Sequence, residues 1–62
     1  MVLERLCKCF APPEGTLFEK EGLYQWSYIR DGYLVYHESG ASWSAGELEF
    51  YCHFQILSGK PF

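Results

Sequence analysis

The sequence has few basic side chains, and this deficit bears first on the partners that the protein could bind. Five Lys and Arg residues stand against eight Asp and Glu residues, for a formal net charge of −3. Binding to nucleic acid depends on Lys and Arg side chains that release condensed counterions from phosphates. Five scattered cations therefore argue against a nucleic-acid partner, and a charge of −3 is too small for a mimic of DNA.

Long apolar runs and paired cysteines are lacking as well. No stretch approaches the roughly 18 to 20 apolar residues that a membrane-spanning helix requires. Arg5 and Lys8 interrupt the apolar residues at the N-terminus, so the pattern of a signal peptide is missing. Three cysteines are an odd number, which agrees with a reducing compartment and fits a secreted disulfide framework poorly. We therefore expect a cytoplasmic protein with no membrane partner.

The chain is also too short to build a large hydrophobic core. Residues 1–62 make one small domain, and a chain of this size buries only about 60% of the surface that its unfolded form exposes. Aromatic residues, at 19% of the sequence, compensate in part, because each ring can remove roughly 150–250 Å² from water. So short a chain has little room for a substrate cleft, so we expect neither an enzyme nor a cofactor.

The first ten residues predict an amphipathic helix. Their apolar side chains follow the spacing of one helical stripe. The helix would end near Phe10, because Pro12 and Pro13 lack amide hydrogens and restrict the residues before them. The stripe consists of Val2, Leu3, Leu6, Cys7 and Phe10.

Residues 23–38 predict a β-hairpin. Two runs rich in aromatic and β-branched residues flank Asp31-Gly32, a dipeptide that favours a two-residue type I′ turn. With that turn, Trp26 would face His37 across the strands. One face would then collect Tyr24, Trp26, Tyr28, Tyr33, Val35 and His37, and the other Leu23, Ile29, Leu34 and Tyr36, diluted by Gln25, Ser27 and Glu38.

Strict alternation over residues 47–57 predicts a third strand, whereas the Gly and Ser residues between 39 and 46 predict a loop. The predicted fold is α+β, with a short N-terminal helix packed on a sheet of three or four antiparallel strands. A small β-roll or barrel is the alternative. The side chains expected to meet the helix are Leu48, Phe50, Cys52, Phe54 and Ile56.

One short helix would cover only one face of this sheet, although the hairpin is apolar on both faces. Three arrangements could account for the second face. The sheet could curl over it together with the loop around Trp43, a second copy of the chain could cover it in a homodimer, or a different protein or ligand could do so.

Cysteine and histidine side chains raise the question of a zinc site, with Cys7, Cys9, Cys52 and His53 as candidates. On the predicted elements both halves would splay, since residues two apart on a helix and neighbours on a strand point in different directions. We therefore predict no metal ligands. A small zinc-binding module, or a module that stacks single-stranded nucleic acid on the hairpin aromatics, is the alternative function.

The composition predicts a non-enzymatic module that binds another protein. Aromatic residues are enriched at interface hot spots, and acidic residues would steer the chain towards a basic surface, such as that of a nucleic-acid enzyme. Small acidic proteins of this class serve phage and mobile elements as inhibitors that block a host protein, an association at the level of class. The expected contact residues are Trp26, Trp43, Tyr51, Glu47, Glu49, Asp31 and Glu38.

Overall fold

Within the described part of the chain, five antiparallel strands form one open sheet, and a single short helix packs on one of its faces. The computed structural model describes residues 5–59. Neighbouring strands run antiparallel in the order β4-β3-β2-β1-β5, so the antiparallel sheet is confirmed and the alternative of a closed barrel is wrong. In chain order the elements are β1 (Leu6–Cys9), β2 (Leu23–Ile29), β3 (Gly32–Tyr36), β4 (Ser42–Ala45), α1 (Glu47–His53) and β5 (Phe54–Ile56).

Strand β1 occupies the place of the predicted N-terminal helix, so that prediction is wrong over residues 6–9. Cys7 and Cys9 are buried on one face of the sheet, and Lys8 lies on the other. The strand pairs with β2 on one side and β5 on the other. Two neighbours supply more hydrogen bonds than an isolated helix of three turns could keep in water, where such helices are marginal. Residues 1–4 of the predicted helix lie outside the described residues.

The predicted third strand is wrong for its first seven residues, which form α1. Glu47 and Glu49 lie in the first helical turn, where carboxylates interact favourably with the helix dipole. Phe50 is fully buried, but Leu48 is 86% exposed and Cys52 is exposed, contrary to the inward alternation. Only Phe54–Ile56 is extended, and the Phe54 ring is buried as predicted.

The segment predicted as a loop contains an edge strand. Ser42–Ala45 pairs antiparallel with β3, with Trp43 opposite Val35. The connection from β3 turns through Gly40, whose φ of 99° lies in the left-handed region that suits glycine. Together with β1, this edge strand brings the sheet to five strands, where the sequence predicted three or four.

The β2–β3 hairpin is present, with a register two residues from the predicted one. Trp26 faces Val35, and Arg30 and Asp31 form the turn. Neither turn residue has a positive φ, so the turn is not type I′. Because the shift is an even number of residues, every side chain keeps its predicted face.

Aromatic rings fill the core between the sheet and α1. Phe50 stacks against Tyr33 with 4.3 Å between ring centroids, and against Phe54 with 5.7 Å. Phe18, from the connection between β1 and β2, meets Phe54 edge to face. Among residues 5–59, no helix has the length and apolar character that a bilayer crossing requires. The buried set is Cys7, Cys9, Phe18, Tyr24, Trp26, Tyr33, Val35, Phe50 and Phe54.

Candidate interaction surface

The face of the sheet opposite α1 is not covered by any helix or strand of residues 5–59. We call it the open face. Its side chains are those that alternate with the buried set along the strands. They are Leu6, Lys8, Leu23, Gln25, Ser27, Ile29, Leu34, Tyr36, Ser42, Ser44 and Gln55.

Apolar side chains lie next to one another on the two central strands of the open face. Leu23 is 58% exposed and Tyr36 is 44% exposed. Gln25 pairs with Tyr36, so Leu23 is the diagonal neighbour of the tyrosine ring. Leu34 is half-buried between Ser27 and Ser44 on the same face. Leu23, Leu34 and Tyr36 thus form an exposed apolar stripe.

The charges beside this stripe are unevenly placed. Lys8 forms an ion pair with Glu21, with 2.7 Å between Nζ and Oε1. Its hydrogen bond and its charge hold the pKa of the Glu21 carboxyl below the ordinary value. On the side of Leu23 away from Lys8, Glu38 joins Leu23 and Tyr36 in lining a depression of about 280 Å³. The stripe therefore ends at an acidic side chain.

The two tryptophans predicted as contacts lie on the covered side of the sheet. Trp26 is 2% exposed, and its Nε1 donates a hydrogen bond to the Ser58 carbonyl at 3.1 Å. It is a core residue, which corrects its assignment to the contact surface. Trp43 is half-buried on edge strand β4. Its ring centroid lies 5.7 Å from that of His53 and 5.3 Å from that of Phe54.

The predicted acidic contacts divide between the two ends of β3. Asp31 and Glu47 line a depression of about 130 Å³ at the β2–β3 turn, and Glu49 lies two residues further on in the same helical turn. Glu38 lies beyond the opposite end of the strand. The structure therefore does not bring the four carboxylates into a single cluster.

Tyr51, the remaining predicted contact, lies on α1. Its hydroxyl is 3.3 Å from that of Tyr33. Burial, reinforced by this hydrogen bond, raises the pKa of Tyr33. With Phe10 and Ile56, Tyr51 also lines an apolar groove of about 500 Å³ along β5. Sequence reasoning missed Phe10 here because it assigned that side chain to a helical stripe.

The candidate zinc ligands are dispersed over the fold. Cys7 and Cys9 point into the core from β1, Cys52 is exposed on α1, and His53 Nδ1 lies 2.6 Å from the Ala11 carbonyl oxygen. The splaying predicted for Cys7 and Cys9 is wrong, since both share one face of a strand. Within residues 5–59, no group of three or more Cys, His, Asp or Glu side chains is placed to hold a metal ion.

We expect one thiol per chain to react quickly with a thiol reagent in the folded protein, and three after unfolding. Cys52 is exposed, whereas burial raises the pKa of Cys7 to about 12 and raises that of Cys9. At a pH of about 8 the two buried groups stay protonated, and the thiolate is the reactive form. Titration with Ellman's reagent measures the count. Cys52→Ser should remove the fast reaction, and any fast thiol that remains in that variant would contradict the placement of Cys7 and Cys9 in β1.

Comparison with known proteins gives no assignment. We found no match to the chain among protein-family models, curated proteins or solved structures. The open face and the edges of the sheet are therefore interpreted from their residues and geometry alone.

Proposed function

We propose that the protein is a non-enzymatic module that binds another protein through the open face. The observation that supports this function is the exposed stripe of Leu23, Leu34 and Tyr36 at the centre of a sheet face. Contiguous exposed apolar patches on small domains mark interaction sites. A partner that covers the stripe gains roughly 25 cal/mol for each Å² of apolar surface removed from water.

The partner that fits this face best presents a basic surface. An Arg or Lys side chain of the partner can enter the depression between Tyr36 and Glu38, where the ring face and the carboxylate both attract a cation. The ion pair with Glu21 offsets the charge of Lys8, the one cation on the open face among residues 5–59. Asp31, Glu47 and Glu49 add to the long-range attraction and so raise the association rate.

A basic surface of this kind is where a nuclease or a polymerase holds its nucleic acid. The bound module would occupy that surface and exclude the substrate, which is the action of an inhibitor. Its effect would be steric and electrostatic, with no bond made or broken. Charge and shape favour an enzyme of this kind as the partner, and the capture experiment below identifies it.

Paired variants test the open face as the binding surface. Tagged wild-type protein is used to capture partners from its host lysate, which mass spectrometry identifies, and the purified partner is then titrated by calorimetry. We expect Leu23→Ser and Tyr36→Ser each to weaken binding about 10-fold, since losing an apolar contact of this size costs about 1.4 kcal/mol. Leu48→Ser is the matched control, because that side chain is 86% exposed on the opposite side of the molecule.

Circular dichroism establishes that each variant is folded before its binding is compared. The proposal is wrong if Leu48→Ser weakens binding as much as the open-face variants, or if Leu23→Ser and Tyr36→Ser bind the purified partner as tightly as wild type. Saturable binding of a single-stranded oligonucleotide that Tyr36→Ser abolishes would also reject it, in favour of a nucleic-acid module.

A further inference from the structure

The two edges of the sheet differ in how well they are protected. Exposed edges invite pairing with another chain, and proteins block them with charges, prolines, bulges or covering segments. Strand β5 has three residues, and the Phe54 amide already donates to the Phe50 carbonyl at the end of α1. Strand β4 has four residues, and residues 39–46 contain no charged side chain and no proline. The β4 edge therefore carries none of the sequence features that prevent pairing.

The direction of the main-chain groups on β4 follows from the pairing with β3. The His37 amide donates to the Ala41 carbonyl at 2.8 Å, which marks these residues as a hydrogen-bonded pair. Such pairs alternate along an antiparallel ladder, so Trp43 also bonds to β3. Ser42 and Ser44, which are exposed, consequently direct their N–H and C=O groups away from the sheet. The edge offers two donors and two acceptors to an added strand.

We propose that β4 pairs antiparallel with β4 of a second copy of the chain, which joins the two sheets into one of ten strands. The sequence Ser42-Trp43-Ser44 is the same read in either direction. A two-fold axis at Trp43 therefore places Ser42 opposite Ser44 of the partner subunit, and the two exchange both hydrogen bonds. An interface related by a two-fold axis uses the same patch on both subunits, as this main-chain pairing does.

Trp43 supplies the side-chain contact of the paired edge. It would lie opposite the partner's Trp43 in a non-hydrogen-bonded pair, where Cα atoms are about 4.5 Å apart. Its indole packs on His53 and Phe54 and is only half-buried, so part of the ring lies uncovered at the edge. Cross-strand aromatic pairs stabilise a sheet beyond the burial of their area. Pairing therefore covers an aromatic surface that the single chain leaves in water.

Charge does not oppose this arrangement. Ser42–Ala45 contains no charged side chain, and the acidic side chain nearest to β4 in sequence, Glu47, lies beyond the paired residues in α1. The proposal also goes beyond the proposed function, since the paired edges leave both open faces uncovered. Each dimer would present two copies of the stripe on one continuous sheet surface.

Light scattering coupled to size-exclusion chromatography measures the proposed dimer, expected at about 14 kDa, twice the 7.2 kDa of the chain. Ser44→Pro removes an N–H that points outward and leaves the ladder with β3 intact, a position where an edge strand tolerates proline. We expect this variant to elute at 7.2 kDa. Ser44→Thr, which keeps the N–H, is the matched control and should remain dimeric.

A second variant covers the case in which Ser44→Pro does not fold. Ser44→Lys places a charge at the paired edge and should weaken dimerisation at least 10-fold. The proposal is overturned by a monomeric wild type at millimolar concentration, by unchanged dimerisation of folded Ser44→Pro or Ser44→Lys, or by loss of the dimer in Tyr36→Ser. These readouts concern mass alone, so they are separate from the loss of partner binding that tests the open face.

Discussion

Replacing Phe50 with alanine should lower the free energy of unfolding by about 3–5 kcal/mol, the usual cost of removing a buried phenylalanine ring. Phe50 is fully buried, and its ring is nearly parallel to Tyr33 and Phe54, at interplanar angles of 11° and 16°. Removing it leaves a cavity between α1 and the sheet. A domain of this size has only about 3–5 kcal/mol of stability from its core, so we expect the variant to be largely unfolded at 25 °C.

Urea unfolding followed by tryptophan fluorescence measures this loss, and Leu48→Ala is the matched control. Leu48 lies two residues away on the same helix but is 86% exposed, so its truncation should cost less than about 0.5 kcal/mol. In the strand predicted from the sequence, Leu48 and Phe50 would point the same way and lose similar amounts. Equal losses would therefore contradict α1.

Replacing Gly32 with alanine should destabilise the protein by about 3 kcal/mol, at the upper end of the cost of overpacking. A Cβ atom at Gly32 would overlap the Ala45 carbonyl oxygen and lie 2.8 Å from the Gly46 Cα. Both are backbone atoms, which cannot move aside without disturbing the junction of β4 and α1. Since φ of Gly32 is not positive, the glycine is required for its small size and not for its conformational freedom.

The control for this variant is Gly46→Ser, because Gly46 lies against Gly32 on the other side of the turn. A Cβ atom at Gly46 meets only the Asp31 carbonyl oxygen, at 3.8 Å. Gly46 is the N-cap of α1 without a side-chain cap, and Glu49 occupies the position that completes a capping box. We expect Gly46→Ser to stabilise the protein by a few tenths of a kcal/mol. Thermal and urea unfolding would compare the two, and a Gly32→Ala variant as stable as wild type would reject the close packing of the turn.

The alternation of the hairpin was sufficient to predict its two faces. Tyr24, Trp26, Tyr33 and Val35 share one face, as the sequence indicated, and the structure shows that this face is the buried one. The register was not predictable, because Asp31-Gly32 suggested a turn type that requires positive φ, whereas glycine is needed there to let β4 approach. The two faces were still predicted correctly because the register differs from the predicted one by an even number of residues.

The sequence predicted a helix where β1 lies and a strand where α1 lies. Both predictions are wrong because the contacts that determine these elements come from residues distant in sequence. β1 is four residues long and α1 is seven, and so short a segment carries too little local propensity to resist its tertiary surroundings. Cys7 pairs with both Tyr24 and Ile56, partners that no local pattern identifies. The alternation of apolar and polar residues over 47–57 predicted a strand. The helix was missed because Phe50 is the buried residue of α1, so no helical stripe of apolar residues is required.

The candidate surface was only partly predictable for a related reason. The sequence separated Leu23, Leu34 and Tyr36 from the core face, but it could not say which face the helix would cover. Trp26 was assigned to the contact surface because it is large and aromatic, and the same properties make it a core residue of a small domain. Burial, which decides between these roles, depends on the strand order of the whole sheet.

The strand order has a consequence for synthesis. β1 is the first described element to leave the ribosome, yet its neighbour β5 is the last, and the two pair directly. Until residues 54–56 emerge, the nascent chain has an incomplete sheet with the thiols of Cys7 and Cys9 beside an unfilled position. Completion of the sheet must therefore wait until residues 54–56 have emerged, and a chain stalled before Phe54 would be a target for chaperones or proteases.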